Sequence, residues 1–303
     1  MRAGDRQEVQ TMDKKQARNI VERFYRKSNP TEDDNFVFTE ALGFLIETEK
    51  DPRAMMELGG YYYELRNFDL ALKYYNMAAE SDYEEAWECL GYVWYYGRTG
   101  TKDYKKAFEY FSKCMDKGNV VATYKVADMF KNGYYVEKDE EKYEKLIESL
   151  YPRVKNARNL GQSLPEVFTR LAKIRVKQGK KTEAVDLYLR AKDFLAQRIS
   201  YNAFFGNLNI MNWLICDLYD LIEFDEDDFD FFDLYYLLKK PCVVQFYYAR
   251  NKYTVEAQME DENCVIRFGD KWYRDVSDFI AKATIRNLPL TKINRELYGF
   301  EVI

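Results

Sequence analysis

The chain of 303 residues contains no histidine. That absence removes Ser-His-Asp triads, Cys-His dyads and His-ligated metal or haem centres together, because each needs an imidazole as base or ligand. Carboxylate or lysine chemistry stays open. No apolar run reaches the length of a membrane-spanning helix. The five cysteines (Cys89, Cys114, Cys216, Cys242 and Cys264) are odd in number, and no pair has CxxC spacing. The first three fall at apolar helix positions, where a free thiol packs as a small hydrophobe. This usage points to a reducing compartment. Residues 1–10 lack an apolar signal region. The expectation is a cytoplasmic protein with no membrane contact.

What is present is aromatic and charged. Hydrophobic residues make up 47% and charged residues 32%, which predicts a folded chain rather than a disordered one. There are 27 Tyr and 20 Phe. Tyrosine suits shallow repeat arrays, where a ring packs inward and its hydroxyl reaches water.

One pattern occurs twice with an offset of 36 residues: Leu90, Gly91, Trp94, Gly97, Asp103 and Phe111 return as Val126, Ala127, Phe130, Gly133, Asp139 and Ile147. A fixed period in this range marks stacked helical hairpins. A shorter-looped unit precedes them, with Leu58-Gly59, Tyr62, Ala71, Tyr75 and Ala78. Its small residues predict a close approach of two antiparallel helices, with Tyr62 and Tyr75 filling the wedge between hairpins. In the third unit Tyr143 stands where a small residue is expected, which predicts looser packing. A fourth unit has Leu171-Ala172, Ala184, Tyr188 and Ala191; Arg175 stands there in place of an aromatic, which predicts an end or a break in the stack. Gly97 and Gly100 permit the left-handed turn between helices, and Asp103 is placed to cap the helix after it.

These residues resemble the tetratricopeptide repeat and its longer-looped relative, the Sel1-like repeat, over about residues 52–195. The Lys106, Ala107, Tyr110 and Phe111 element is the most specific. The resemblance implies a mostly α fold, a right-handed α-solenoid of helical hairpins. It also implies a non-catalytic adaptor that holds peptides or partner proteins on its concave face.

Two helices, 13–27 and 36–49, joined at Asn29-Pro30-Thr31, predict a capping hairpin ahead of the repeats. After the fourth unit, residues 193–222 continue as helix on an apolar face that includes Phe204, with Gly206-Asn207 as an expected interruption. An acidic linker, 223–240, follows. It fails the EF-hand pattern, because Asp230 and Tyr236 occupy the positions that need Gly and Glu. Asp233 is expected to cap a short helix, Leu234 to Leu238. Beyond Pro241 the apolar period changes from 3.6 to 2, which predicts a small α+β module over 241–303. Its expected elements are three strands, with a turn at 260–263 and another at Gly269-Asp270 that leads into Lys271-Trp272-Tyr273. A helix capped by Asp275 or Ser277 follows, then a last helix from Thr291 to Leu297. The domains expected are thus 1–222, 223–240 and 241–303. Tyr253-x-Val255-Glu256-Ala257, Gly269-Asp270-Lys271-Trp272-Tyr273 and Ser277-x-x-Ile280-Ala281-x-Ala283 resemble the small domain that accompanies restriction adenine methylases, which implies DNA contact.

Charge is uneven. Residues 151–200 carry a balance of +8, while 211–235 hold nine acids and no base. Two faces that attract each other within one molecule, or a docking strip, are the alternatives. The reading that follows is a scaffold with a protein or peptide partner. Side chains of first helices that escape the packing positions are its candidates: Glu57, Tyr61, Glu64, Glu88, Tyr92, Tyr95, Lys125 and Asp128. The second reading is nucleic-acid binding through Lys173, Lys177, Lys180 and Lys181, with Trp272, Tyr273 or Tyr247 stacking on bases. No catalytic signature, metal site or cofactor is expected.

Overall fold

Caps set most helix boundaries. In the computed structural model, which describes residues 12–27, 30–156, 164–201, 203, 205–260 and 263–303, thirteen α-helices and seven strands follow one another. Residues 1–10, Asn29, Phe204, Asp261 and Glu262, on which expectations were placed, lie outside the described residues. The first helix, α1 (Lys14–Tyr25), opens with a capping box between Asp13 and Gln16. A second box, between Thr31 and Asp34, opens α2 (Glu32–Glu49) four residues ahead of the expected start. The apolar stripe begins only at Phe38, which is why periodicity alone placed the boundary late. Asp51 caps α3 (Pro52–Glu64), with Pro52 in the first turn where its missing N–H costs nothing. Asn67 caps α4 (Phe68–Glu80). Helix α5 (Glu84–Tyr96) ends at Gly97 in the left-handed conformation, φ 63°. Asp103 caps α6 (Tyr104–Asp116) as expected, and Asn119 caps α7 (Val120–Asn132), which ends at left-handed Gly133. Asp139 then accepts from the Lys142 amide at the start of α8 (Glu140–Val154).

The hairpins α3–α4 and α5–α6 close in the same way. A Cβ built on Gly59 would stand 2.6 Å from the Tyr75 ring, and one on Gly91 would stand 2.5 Å from the Phe111 ring. An aromatic of the second helix therefore lies directly on the backbone of the first, and only glycine leaves room. Tyr75 packs within its own hairpin and also joins Leu90 and Val93 of the next. Tyr62 stacks on Tyr74 at 5.8 Å. Tyr143, expected to loosen its unit, is instead fully buried.

The chain divides into two compact units, Met1–Tyr143 and Glu144–Ile303. In the second, α9 (Leu164–Lys177) pairs with α10 (Lys181–Tyr201), and α11 (Phe205–Tyr219) follows. Arg175 marks no end: its guanidinium binds Glu148 of α8 and Glu183 of α10, so an ion-pair cluster takes the place of the aromatic. The expected helix interruption is also displaced. Ala203 is non-helical, while Gly206 and Asn207 lie inside α11.

Asp233 does not cap the short helix α12 (Leu234–Leu237), because its side chain turns inward. It accepts from Lys192 Nζ at 2.6 Å, from Tyr219 Oη at 2.9 Å and from the Asp230 amide at 2.8 Å. Asp230 supplies the cap, for a single 3₁₀ turn at Phe231–Asp233.

The sheet holds β1 (Cys242–Tyr248), β2 (Asn251–Glu260), β3 (Asn263–Phe268), β4 (Lys271–Tyr273) and β7 (Tyr298–Val302) in the order β4-β3-β2-β1-β7, all antiparallel. Helix α13 (Val276–Lys282), capped by Asp275 rather than Ser277, covers one face through Phe279 against Phe268 and Tyr273. Two short strands, β5 (Thr284–Ile285) and β6 (Leu288–Pro289), follow. The expected last helix is one 3₁₀ turn, Asn294–Glu296, and the chain returns as β7 beside β1. The architecture is successive helical hairpins followed by a small antiparallel sheet.

Candidate functional site

The eight candidate partner-binding residues all belong to the first unit, on α3, α5 and α7, the first helices of three consecutive hairpins. Side chains join these helices directly. Asn119 accepts from the Ala122 amide as the cap of α7 and donates its Nδ2 to Glu88 of α5 at 2.8 Å. Tyr92 and Tyr124 share a hydroxyl hydrogen bond of 3.2 Å.

Lys125 is the centre of the arrangement. The residue is only 6% exposed. Its ammonium stands 5.0 Å from the ring centroids of Tyr92, Tyr95 and Tyr96, and 5.7 Å from that of Tyr124. It donates to Tyr96 Oη at 2.9 Å. No carboxylate among the described residues lies within ion-pair distance. Ring faces and one hydroxyl therefore replace the water lost on burial, an arrangement worth about 2 kcal/mol when desolvated.

Carboxylates line the edge of this tyrosine surface. Burial holds the Glu88 carboxyl above its usual range; Asn119 and Lys125 pull it down, and Glu85 pushes it up. Burial also pushes up the Tyr92 and Tyr95 hydroxyls, with Glu88 acting on the former and Asp128 on the latter. Tyr95 makes edge contacts with Tyr96, Tyr104, Phe111 and Tyr134. Glu57 is taken internally by Arg18 of α1, at 2.8 Å, and Arg53, at 2.9 Å. Tyr61 is packed between Phe38 and Tyr62. Glu64 is exposed and forms no ion pair among the described residues.

The structure thus brings Glu88, Tyr92, Tyr95, Lys125 and Asp128 together, and sets Glu57, Tyr61 and Glu64 one hairpin away. Asn119, Tyr96 and Tyr124 complete the cluster. The capping signature of Asn119 and the adjacency of Tyr96 to Tyr95 were visible in the sequence. Which rings close on Lys125 was not.

The candidate nucleic-acid residues are differently placed. Lys173 pairs with Asp217 at 2.9 Å, Lys177 reaches Glu144 at 4.0 Å, and Lys180 reaches Glu183 at 3.8 Å. Lys181 is exposed. Tyr273 is buried against Phe279, so its ring faces the core and offers no stacking surface. Trp272 is 56% exposed on the edge strand β4, with the Arg267 guanidinium over its ring. Within the second unit, the basic and acidic segments meet at Lys173–Asp217 and at Lys192 with Asp230 and Asp233.

No protein-family model and no curated protein matches the sequence. Solved structures do. A Sel1 repeat protein from Oxalobacter formigenes is 19% identical with a TM-score of 0.49, over 67% of this chain and 75% of that one. A protective antigen of uropathogenic Escherichia coli with an SLR fold is 18% identical with a TM-score of 0.48, over 69% of this chain. This chain spans 41% of the antigen. PilW, a type IV pilus biogenesis factor, is 16% identical with a TM-score of 0.41, over 70% and 95% of the two chains. None of these matches supports the resemblance of the C-terminal module to the methylase-associated domain. Among the described residues no helix is long and apolar enough to cross a membrane.

Proposed function

We propose that the chain is a non-enzymatic scaffold that binds a protein or peptide segment across the tyrosine surface of α3, α5 and α7. The observation behind this reading is the Lys125 cluster: one buried cation and four rings, contributed by two hairpins and edged by Glu88 and Asp128. Rings held on rigid helices lose little entropy on binding, and Tyr is enriched where interfaces concentrate their energy. The module at 241–303 adds a second contact or fixes the partner's orientation.

Affinity capture on the full-length chain tests the reading. Partners retained by the wild type should be lost with Tyr95→Ala/Tyr96→Ala and kept with Trp272→Ala, both variants being checked for folding by circular dichroism. Retention by the first variant and loss by the second, with nucleic acid co-purifying, would move the site to the sheet.

A further inference from the structure

One thiol of the second unit is held against an amine. Cys216 lies on α11, and its Sγ accepts a hydrogen bond from Lys239 Nζ at 2.7 Å. The thiol itself donates to Asn212 Oδ1, one turn earlier, at 3.6 Å. Lys239 follows directly on the end of the short helix α12. Cys216 is half-buried and Lys239 is exposed, so a small oxidant in water reaches both groups.

The pairing is selective on both sides. Residues 199–238 hold no Lys or Arg, and nine acids stand between 211 and 235. Lys239 is the first base after that stretch, yet it forms no ion pair among the described residues and gives its hydrogen bond to the thiol. Of the other thiols, Cys114 donates to the Glu84 carbonyl at 3.9 Å and Cys242 to the Leu237 carbonyl at 3.6 Å. None of the other four is hydrogen-bonded to a lysine among the described residues. Burial also pushes Cys89 and Cys114 up to about 12 and Cys242 up to about 11, which keeps them protonated and unreactive.

We propose that Cys216 and Lys239 are a redox modification site, which peroxide converts to a reversible S–O–N crosslink. Sulfur and nitrogen at 2.7 Å already stand at the span of one oxygen bonded to both, whereas a direct S–N bond would require the chain to close further. Peroxide first oxidises the thiol to a sulfenic acid and leaves one water. The lysine ammonium releases its extra proton to solvent. A second peroxide then takes one hydrogen from the sulfenic hydroxyl and one from the neutral amine, the O–N bond forms, and that peroxide leaves as two waters. One thiol, one amine and two peroxides thus give one S–O–NH link and three waters. Two dithiol molecules reverse the reaction, returning thiol, amine and one water as each closes to its disulfide. The link closes a loop over residues 216–239, which contains the acidic segment, and restrains the unfolded chain as a disulfide does.

The test is mass spectrometry of the full-length chain after hydrogen peroxide, with digestion after glutamate so that cuts at Glu223 and Glu226 separate the two residues. The expected species joins the Cys216 peptide to the Lys239 peptide, is heavier than their sum by one oxygen less two hydrogens, and is dissolved by dithiothreitol. Cys216→Ser and Lys239→Arg should each abolish it. Peroxide should raise the melting temperature of the wild type by several degrees and that of neither variant. Neither residue is buried, and unchanged circular dichroism of the reduced variants shows that the fold is kept. Oxidation of Cys216 to its sulfinic acid with Lys239 unmodified overturns the inference. So do a Cys216 left unreacted, a link that lacks the oxygen, and a link that survives in Lys239→Arg.

Discussion

Two lysines, Lys125 buried in the first unit and Lys192 half-buried in the second, are held in opposite ways. Lys192 of α10 is held by two carboxylates, Asp233 at 2.6 Å and Asp230 at 2.9 Å, and Asp233 is itself buried and bonded to Tyr219. Lys125 of α7 is held by tyrosine rings and one hydroxyl, and forms no ion pair among the described residues. The first solution consumes the charges and ties the acidic segment to α10. The second leaves Glu88 at the edge of a ring surface with its charge incompletely compensated. The Lys192 cluster is tied by carboxylates and the Lys125 cluster by rings, and the ring surface is the one proposed for binding.

Four experiments can break or sharpen this contrast. The largest effect should come from Asp233→Ala, which removes the buried carboxylate that accepts from Lys192, Tyr219 and the Asp230 amide. A loss of about 3–5 kcal/mol, read by urea unfolding, is expected. Gly91→Ala should cost about 1–3 kcal/mol, because the added methyl meets the Phe111 ring; thermal melting reads it, and an unshifted midpoint would mean that the hairpin closes in another way. Lys125→Met should be milder, about 1 kcal/mol, since the lost cation–ring attraction is offset by relief of a desolvated charge. A loss as large as that of Asp233→Ala would erase the distinction between the two lysines. The smallest effect is a pH dependence at Glu88. Its folded carboxyl titrates above the unfolded one, so its contribution to stability is fully present below the unfolded pKa and is lost as pH rises through the folded pKa. Glu88→Gln removes that loss, so the variant should gain on the wild type as pH rises from about 4 to 7. Parallel stability curves for the two proteins would contradict the shift.

Local rules made much of the fold legible. The cap at Asp103, the Gly59 and Gly91 contacts at the spacings to Tyr75 and Phe111, and the change of period after Pro241 are short-range patterns with short-range causes. The misreadings were of residues whose partners lie far along the chain. Asp233 has the spacing of a helix cap, but Lys192 and Tyr219 turn it inward. Arg175 looks like a terminus until Glu148 and Glu183 meet it. Tyr298–Val302 has no neighbour in sequence to announce it as a strand, because its hydrogen bonds go to β1, more than fifty residues earlier.

The candidate site divides along the same line. Sequence alone determined which helices come first in their hairpins, because helical period and repeat offset are properties of neighbours three to twenty residues apart; it placed Lys125 outside the packing positions, where the structure buries it. Only the tertiary structure decided that Lys125 is buried, that four rings close on it and that Asn119 rather than a lysine holds Glu88. The electrostatic state of a side chain depends on how much water and which charges surround it, and those surroundings are assembled from separate hairpins.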